Sequence, residues 1–224
     1  MLVDLQRGDL EHGEDLTGRT IDGATFSAVN NGGGPDAVAI FDTTETGTAD
    51  PDLEGPPNKN WDGGNLPADT VVGKCFIVQE NSTDADDDGV FDSPDDEAGG
   101  GDITIEFGRD ISGFGFDFVD HEEVSETGHD EVHFYQGGTS GTEVNAIQFV
   151  EFTDGGTHDQ DANFTDHSLN RIFLSESDIG GTYDTVEFHL SGSGGFSRLT
   201  PEPSAAALLA LVGISLLVRR PRRR

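Results

Sequence analysis

Residues 102–120 read DITIEFGRDISGFGFDFVD, and two alternating patterns in this stretch decide the fold class. In the first, apolar residues alternate with polar ones and place on one face Ile103, Ile105 and Phe107. In the second, an aromatic stripe is formed by Phe114, Phe116 and Phe118. Successive side chains of a β-strand point to opposite faces of a sheet, so both patterns predict strands that cover an apolar core.

Similar patterns recur along the chain, separated by turn-forming clusters such as NNGGGPD and QGGTSGTE. No stretch before residue 201 has helical periodicity over ten or more residues. Val3 and Leu5 suggest a first strand, and further strand patterns are TIDGATFSAVN, AVAIFD, VVGKCFIVQ, EVHFYQ, VNAIQFVEF, LNRIFL, TVEFHLSG and GFSRLT. About nine to eleven strands without a major helix predict an all-β fold, an antiparallel two-sheet β-sandwich with jelly-roll-like connections over residues 1–200.

The chain is strongly acidic, with a formal net charge of −32. All but one of its 44 acidic residues precede residue 201. A body with this charge would repel phosphate, so we expect no binding to nucleic acid. Cys75 is the single cysteine, which excludes an intramolecular disulfide and a metal site made of several thiolates. Its strand-like neighbours predict a buried, unreactive side chain.

The last 24 residues, PEPSAAALLALVGISLLVRRPRRR, differ from the body. An apolar segment over 204–218 predicts a short helix, roughly 21 Å long from Ala205 to Val218 and shorter than the ~30 Å hydrocarbon core of a bilayer. It could therefore be a buried helix, but the body offers no helical layer for it to pack on. A cluster of basic residues follows it and predicts a transmembrane helix whose end stays in the cytoplasm, formed by Arg219, Arg220, Arg222, Arg223 and Arg224.

This tail resembles a PEP-CTERM sorting signal, because the motif Pro201, Glu202 and Pro203, an apolar helix and a terminal arginine cluster follow in that order. The resemblance implies export across the inner membrane of a Gram-negative bacterium, often one that makes exopolysaccharide and biofilm. It also implies processing by an exosortase at or near residues 201–203. Transient anchoring in the inner membrane would then be followed by release to the cell surface or the extracellular matrix.

Export requires an N-terminal signal with a basic start, an apolar stretch and a small-residue cleavage site. The opening MLVDLQRGDLEHGEDL has none of these features. We therefore expect Met1 to be an internal start, with the true reading frame beginning upstream and supplying the signal peptide.

The acidic segment DADDDGVFDSPD, residues 84–95, fits a calcium loop of the form D-x-D-x-D-G. Its candidate ligands are Asp84, Asp86, Asp88, the carbonyl of Val90, Asp92 and Asp95. The fit is incomplete, because the twelfth position is normally a glutamate and no helices flank the loop. A merely solvated acidic loop is the alternative. A second acidic set in the segment FDTTETGTADPDL comprises Asp42, Glu45, Asp50 and Asp52.

The body also resembles extracellular bacterial β-sandwich domains that precede PEP-CTERM tails and look like jelly-roll carbohydrate-binding modules. The resemblance rests on FDTTETGTADPDL, WDGGN, DSPDDEAGGGDITIEF and ISGFGFDFVD. Trp61 could be an exposed platform for a glycan, or it could anchor a loop. No nucleophile elbow, P-loop or dinucleotide motif is present, so we expect a non-catalytic protein. An exopolysaccharide-binding module is the alternative, and a polysaccharide-active enzyme is a second alternative.

Overall fold

The computed structural model describes residues 3–121, 124 and 130–203, and these residues form a mostly β structure with almost no helix. Twelve strands join in one hydrogen-bonded network in which every pairing is antiparallel except the short one between Gly63–Gly64 and Ser168–Leu174. The predicted all-β class is therefore confirmed. The strands are β1 Thr20–Ile21, β2 Ala24–Asn30, β3 Val38–Asp42, β4 Gly63–Gly64, β5 Lys74–Val78, β6 Gly101–Val119, β7 Glu131–Gln136, β8 Thr142–Gln148, β9 Ser168–Leu174, β10 Tyr183–Leu190, β11 Gly195–Ser197 and β12 Glu202–Pro203.

The alternating patterns at residues 103–107 and 114–118 belong to one continuous strand, β6, of 19 residues. Its first half pairs with β2 and β10, and its second half pairs with β9 and β11. Between the halves, Gly108, Arg109 and Asp110 are exposed, and the pairing with β10 shifts register there. The chain stays extended through residues 108–110 and does not turn there. The strands that pair with β6 differ before and after this segment.

Strands β7 and β8 extend the branch that contains β10, whereas β3 and β5 extend the branch that contains β11. Aromatic rings from the two branches contact each other. Phe188 of β10 and Phe196 of β11 have ring centroids 3.9 Å apart. Strand β2 pairs with the same half of β6 as β10, and its Phe26 has a ring centroid 5.3 Å from that of Phe76 in β5. Such pairs add about 0.5–1.5 kcal/mol each beyond the burial of their area. One large core therefore lies between the two branches.

Two local predictions are corrected by the structure, and one short helix was not predicted. Val3 and Leu5 are buried but do not form a strand, and the amide of Val3 donates to the carbonyl of Leu199 at 3.0 Å. The pattern VNAIQFVEF is only partly a strand, because β8 ends at Gln148 and a 3-10 turn, Phe149–Phe152, follows. The remaining helix, α1, is the four-residue segment Glu176–Ile179.

A smaller core lies beside the large one and contains Cys75, Phe41, Leu53, Trp61 and Leu169 among its members. Cys75 is fully buried and has no disulfide partner among the described residues. Burial raises the pKa of its thiol well above the usual value, and the nearby carboxylates of Asp96 and Asp50 add to the effect. The prediction of a buried, unreactive cysteine agrees with this environment.

Candidate metal centres

The acidic loop between β5 and β6 brings together the first three predicted calcium ligands. One carboxylate oxygen each from Asp84, Asp86 and Asp88 lies within 4.8 Å of the other two. The two oxygens of Asp84 accept the amides of Asp88 and Gly89 at 3.2 and 3.1 Å. Gly89 takes a positive φ of 86°, which is the sharp turn that the sequence pattern predicted.

Asp92 and Val90 stay close to this loop, but Asp95 does not join it. The Asp92 carboxylate accepts the amide of Ala85 at 2.8 Å. Val90 donates its amide to Asp88 at 2.9 Å and forms a β-bridge with Glu14. Asp95 instead lies with Asp50 and Asp96, as one oxygen from each of these three is within 4.8 Å of the others.

Backbone pairing explains why Asp95 does not close the loop. The carbonyl of Asp95 accepts the amide of Glu80 at 2.9 Å, and its amide donates to the side chain of Gln79 at 3.3 Å. The next residue, Asp96, forms an antiparallel bridge with Gln79. These bonds continue the direction of β5 and fix the residues before β6, so Asp95 faces the second acidic group.

The second group is largely buried: Asp50 and Asp96 each have 7% of their surface exposed. The Asp50 Oδ1 atom accepts the amides of Asp52 and Leu53 at 3.0 and 3.3 Å, whereas its Oδ2 atom is buried without a hydrogen-bond partner. The Oδ2 atom of Asp96 accepts the amide of Gly194. The carboxyls of Asp50 and Asp96 are close enough for each to influence the ionisation of the other.

Burial and like charge raise the pKa of several carboxyls in this region. Burial raises the pKa of Asp95 to about 7, and the neighbouring Glu80 and Asp50 add to it. The pKa of Asp96 is raised well above its usual value, first by burial and then by Asp50. Burial also raises the pKa of Asp120 to about 7, although the amide of His167 donates to its carboxylate and opposes the rise.

The other members of the set predicted around Asp50 point elsewhere. Asp42 accepts the amide and hydroxyl of Thr44, at 3.0 and 2.7 Å. Asp52 lies 3.6 Å from the ammonium of Lys59. Only Asp50 of the four joins a metal-like group of acidic side chains within the described part of the chain. Asp96 was not among the predicted ligands, although the acidic run DSPDDE contains it.

Trp61 is not an exposed platform, because only 3% of its surface is accessible. Its indole Nε1 donates to the carbonyl of Thr70 at 2.8 Å, and its ring lies 4.9 Å from that of His167. The prediction of an exposed glycan contact is corrected here: Trp61 anchors its loop in the smaller core, and neither ring face is free to stack on a sugar.

The sorting motif lies at the end of the described residues. Glu202–Pro203 forms β12 and pairs with β6, where Glu202 is opposite Gly113 and Pro203 is opposite Ile111. Glu202 is exposed, whereas Pro201 is buried. None of the helices among residues 3–121 and 130–203 is long and apolar enough to cross a membrane. The predicted apolar helix over 204–218 and the terminal arginines Arg219, Arg220, Arg222, Arg223 and Arg224 lie outside the described residues.

Comparison with known proteins gives only weak structural likeness. No protein-family model matches the chain, and no curated protein matches it. Among solved structures, a cleaved adhesin domain of Lys-gingipain from Porphyromonas gingivalis is 11% identical, with a TM-score of 0.30. The alignment covers 81% of this chain and 99% of the adhesin domain. A likeness of this size does not define a shared fold.

Proposed function

We propose that this chain is an exported, non-catalytic protein of the cell surface or extracellular matrix of a Gram-negative bacterium, and that it binds calcium through the loop 84–92. Its acidic body faces the exterior. The C-terminal tail holds the chain transiently in the inner membrane until an exosortase-type enzyme processes it at or near residues 201–203. Release then delivers the body to the cell surface or to an exopolysaccharide matrix.

The observation that carries the calcium proposal is the convergence of Asp84, Asp86 and Asp88. Three carboxylates at this distance repel one another in the absence of a counter-ion. Calcium is a hard cation that takes six to eight oxygen ligands, and weak affinity is sufficient outside the cell, where extracellular modules bind calcium at about 10⁻⁴–10⁻³ M. The amides that donate to Asp84 and Asp88 orient these side chains before any cation arrives.

Calorimetric titration of the EDTA-treated chain with calcium tests this proposal. We expect the double substitution Asp86→Asn and Asp88→Asn to abolish one binding event in the millimolar range. The matched control is Asp161→Asn in an exposed group with Asp154 and Asp159, whose oxygens are equally close but whose sequence lacks the D-x-D-x-D-G turn. A titration of the double variant that is indistinguishable from wild type would contradict the loop site.

The tail supports the export proposal through its order and its charge. Five arginines resist transfer across a membrane that is negative inside, so the body is the part that crosses. The body contains only seven of the 12 basic residues and has no comparable cluster. Glu202 and Pro203 pair with β6, so the sorting motif lies directly against the body. The division into a domain at 1–200 and a signal at 201–224 rests on the composition of the tail.

We further propose that the single hydrogen-bonded network folds into the two facing layers of a jelly-roll-like sandwich. The contacts of Phe26 with Phe76 and of Phe188 with Phe196 support two layers. Each pair joins a strand that pairs with the first half of β6, β2 or β10, to a strand of the branch that contains β11. A long strand whose two halves have different neighbours supplies the connection between such layers.

Neither alternative function has a comparable observation in its favour. The glycan-binding alternative loses its candidate contact, because Trp61 is buried. The enzyme alternative would need two carboxylates at a defined separation beside a substrate cleft. Binding of the chain to a panel of polysaccharides, measured with and without EDTA, tests the glycan alternative. Saturable binding to one polysaccharide would favour it over a purely structural role.

A further inference from the structure

Two long loops meet at the buried acidic group described above. Asp50 belongs to residues 43–62, between β3 and β4, whereas Asp95 and Asp96 belong to residues 79–100, between β5 and β6. One oxygen from each lies within 4.8 Å of the others. Calcium binds oxygens at 2.3–2.6 Å, so two ligands on opposite sides of one ion are about 4.8 Å apart. The three oxygens therefore span no more than the coordination shell of a single calcium ion.

The Oδ2 atom of Asp50 is a second, independent observation that points to a cation at this group. Asp50 is more than nine-tenths buried, and two backbone amides satisfy its Oδ1 atom. Oδ2 is also buried and receives no hydrogen bond from an amide, a hydroxyl or a cationic side chain. The group close enough to donate to Asp50 is the Asp96 carboxyl, when that carboxyl carries a proton. A buried anionic oxygen without a donor carries a large desolvation cost. A bound cation would remove this cost.

The surroundings of the group supply negative charge and no compensating positive charge. Within the described ranges, no lysine, arginine or histidine forms an ion pair with Asp50, Asp95 or Asp96. The groups that influence these carboxyls are themselves acidic and include Glu80, Glu97 and Asp120. A buried cluster of one sign is stable when a proton or a metal ion neutralises it.

We propose that Asp50, Asp95 and Asp96 form a calcium site that fastens the loop 43–62 to the segment before β6. The ligand set consists of carboxylate oxygens without nitrogen or sulfur, which suits a hard cation. Calcium tolerates irregular geometry and high coordination numbers, whereas magnesium requires a near-ideal octahedron. This site shares no residue with the group Asp84, Asp86 and Asp88, so either site can exist without the other.

Calcium at this position would stabilise the smaller core. Leu53 follows Asp50 by three residues and packs in that core with Trp61 and Cys75. Asp96 also accepts the amide of Gly194, directly before β11, so the site links both loops to the sheet. Cys75 is fully buried and is the only cysteine, which makes its thiol a specific reporter of opening at this place.

The test measures labelling of Cys75 by a thiol reagent in the full 224-residue chain, with EDTA and with calcium at about ten times the dissociation constant. Labelling requires a form of the protein in which Cys75 is exposed. If calcium binds only the form in which Cys75 is buried, it should slow labelling about tenfold and raise the melting temperature by about 3–6 °C. Asp50→Asn and Asp96→Asn should each remove this protection, because each removes one carboxylate charge from the site. Asparagine has nearly the same size and keeps one oxygen acceptor, so the packing changes little. Asp95→Asn, at a half-buried position, serves as a further variant if either of these does not fold.

The loop variant Asp86→Asn with Asp88→Asn is the matched control and should keep the full protection of Cys75. In EDTA, the Asp50→Asn chain should melt above wild type, since one buried charge is gone; in calcium, the order should reverse. If the labelling rate of Cys75 in wild type were the same with calcium and with EDTA, the proposal would be overturned. That result would indicate that protons neutralise the acidic group. Protection that survives Asp50→Asn but disappears in the loop variant would also overturn it, while leaving the loop site intact.

Discussion

Replacing Trp61 with alanine should destabilise the protein by about 3–5 kcal/mol, the range measured for large aromatic side chains removed from a core. The indole has 3% of its surface exposed and donates one hydrogen bond, from Nε1 to the carbonyl of Thr70 at 2.8 Å. Gly55 packs directly on the ring, because a Cβ atom at this glycine would lie 2.3 Å from Cζ2 of Trp61. So close a fit leaves a cavity when the ring is removed. The loss would be a large part of a typical total stability of about 5–15 kcal/mol.

Urea unfolding followed by circular dichroism measures this change. Trp61→Phe keeps most of the ring and loses the N–H donor, so it should cost about 1–2 kcal/mol. Phe173→Ala is the aromatic control, because Phe173 has 51% of its surface exposed and its removal should cost only about 1 kcal/mol. If Trp61→Ala had as little effect as Phe173→Ala and also abolished binding to a polysaccharide, Trp61 would be a surface contact and the reasoning would be refuted.

Three further predictions concern other parts of the molecule. Arg171→Ala should cost about 1–3 kcal/mol in urea unfolding, because it removes two hydrogen bonds of 2.7 and 2.8 Å to the buried carboxylate of Asp117, while Arg198 stays 3.5 Å from the same carboxylate. Arg171→Lys should recover only part of this loss, and an unchanged midpoint would contradict the pairing. Burial acts to raise the pKa of Asp130, but hydrogen bonds from His121 and Ser191 outweigh it and lower this pKa to about 2, so wild type should lose about 2 kcal/mol more than Asp130→Asn as the pH falls from about 4 to 2. An equal fall of the melting temperature with pH in the two chains would count against this. Glu202→Gln should leave the melting temperature unchanged, since Glu202 is exposed, yet it should block tail processing in cells; normal processing would argue against the sorting motif.

The sequence predicts the strands well because the alternation of apolar and polar residues is local. Ile103, Ile105 and Phe107, and then Phe114, Phe116 and Phe118, are all buried as the pattern requires. The continuity of β6 could not be predicted in the same way. Gly108 and its polar neighbours resemble a turn, whereas the residues on either side of them pair with distant strands and set the path of the chain.

The candidate sites show the same limit. The positions of Asp84, Asp86, Asp88 and Gly89 follow from their own spacing, and the structure brings the three carboxylates together. Asp95 departs from the loop because its backbone pairs with residues around Gln79, a contact that depends on the position of β5. The approach of Asp50 to Asp96 joins segments that are far apart in sequence, and no local pattern encodes it.

The central claim, that the body is exported while the tail stays at the membrane until it is processed, is tested most directly by mass spectrometry of the mature chain. The protein should be isolated from the surface or matrix of the cells that produce it, and its C-terminal peptide identified. We predict a chain that ends at or near residues 201–203, without the apolar segment 204–218 and without Arg224. A full-length chain dissolved in the cytoplasm, with Arg224 still attached, would contradict the claim.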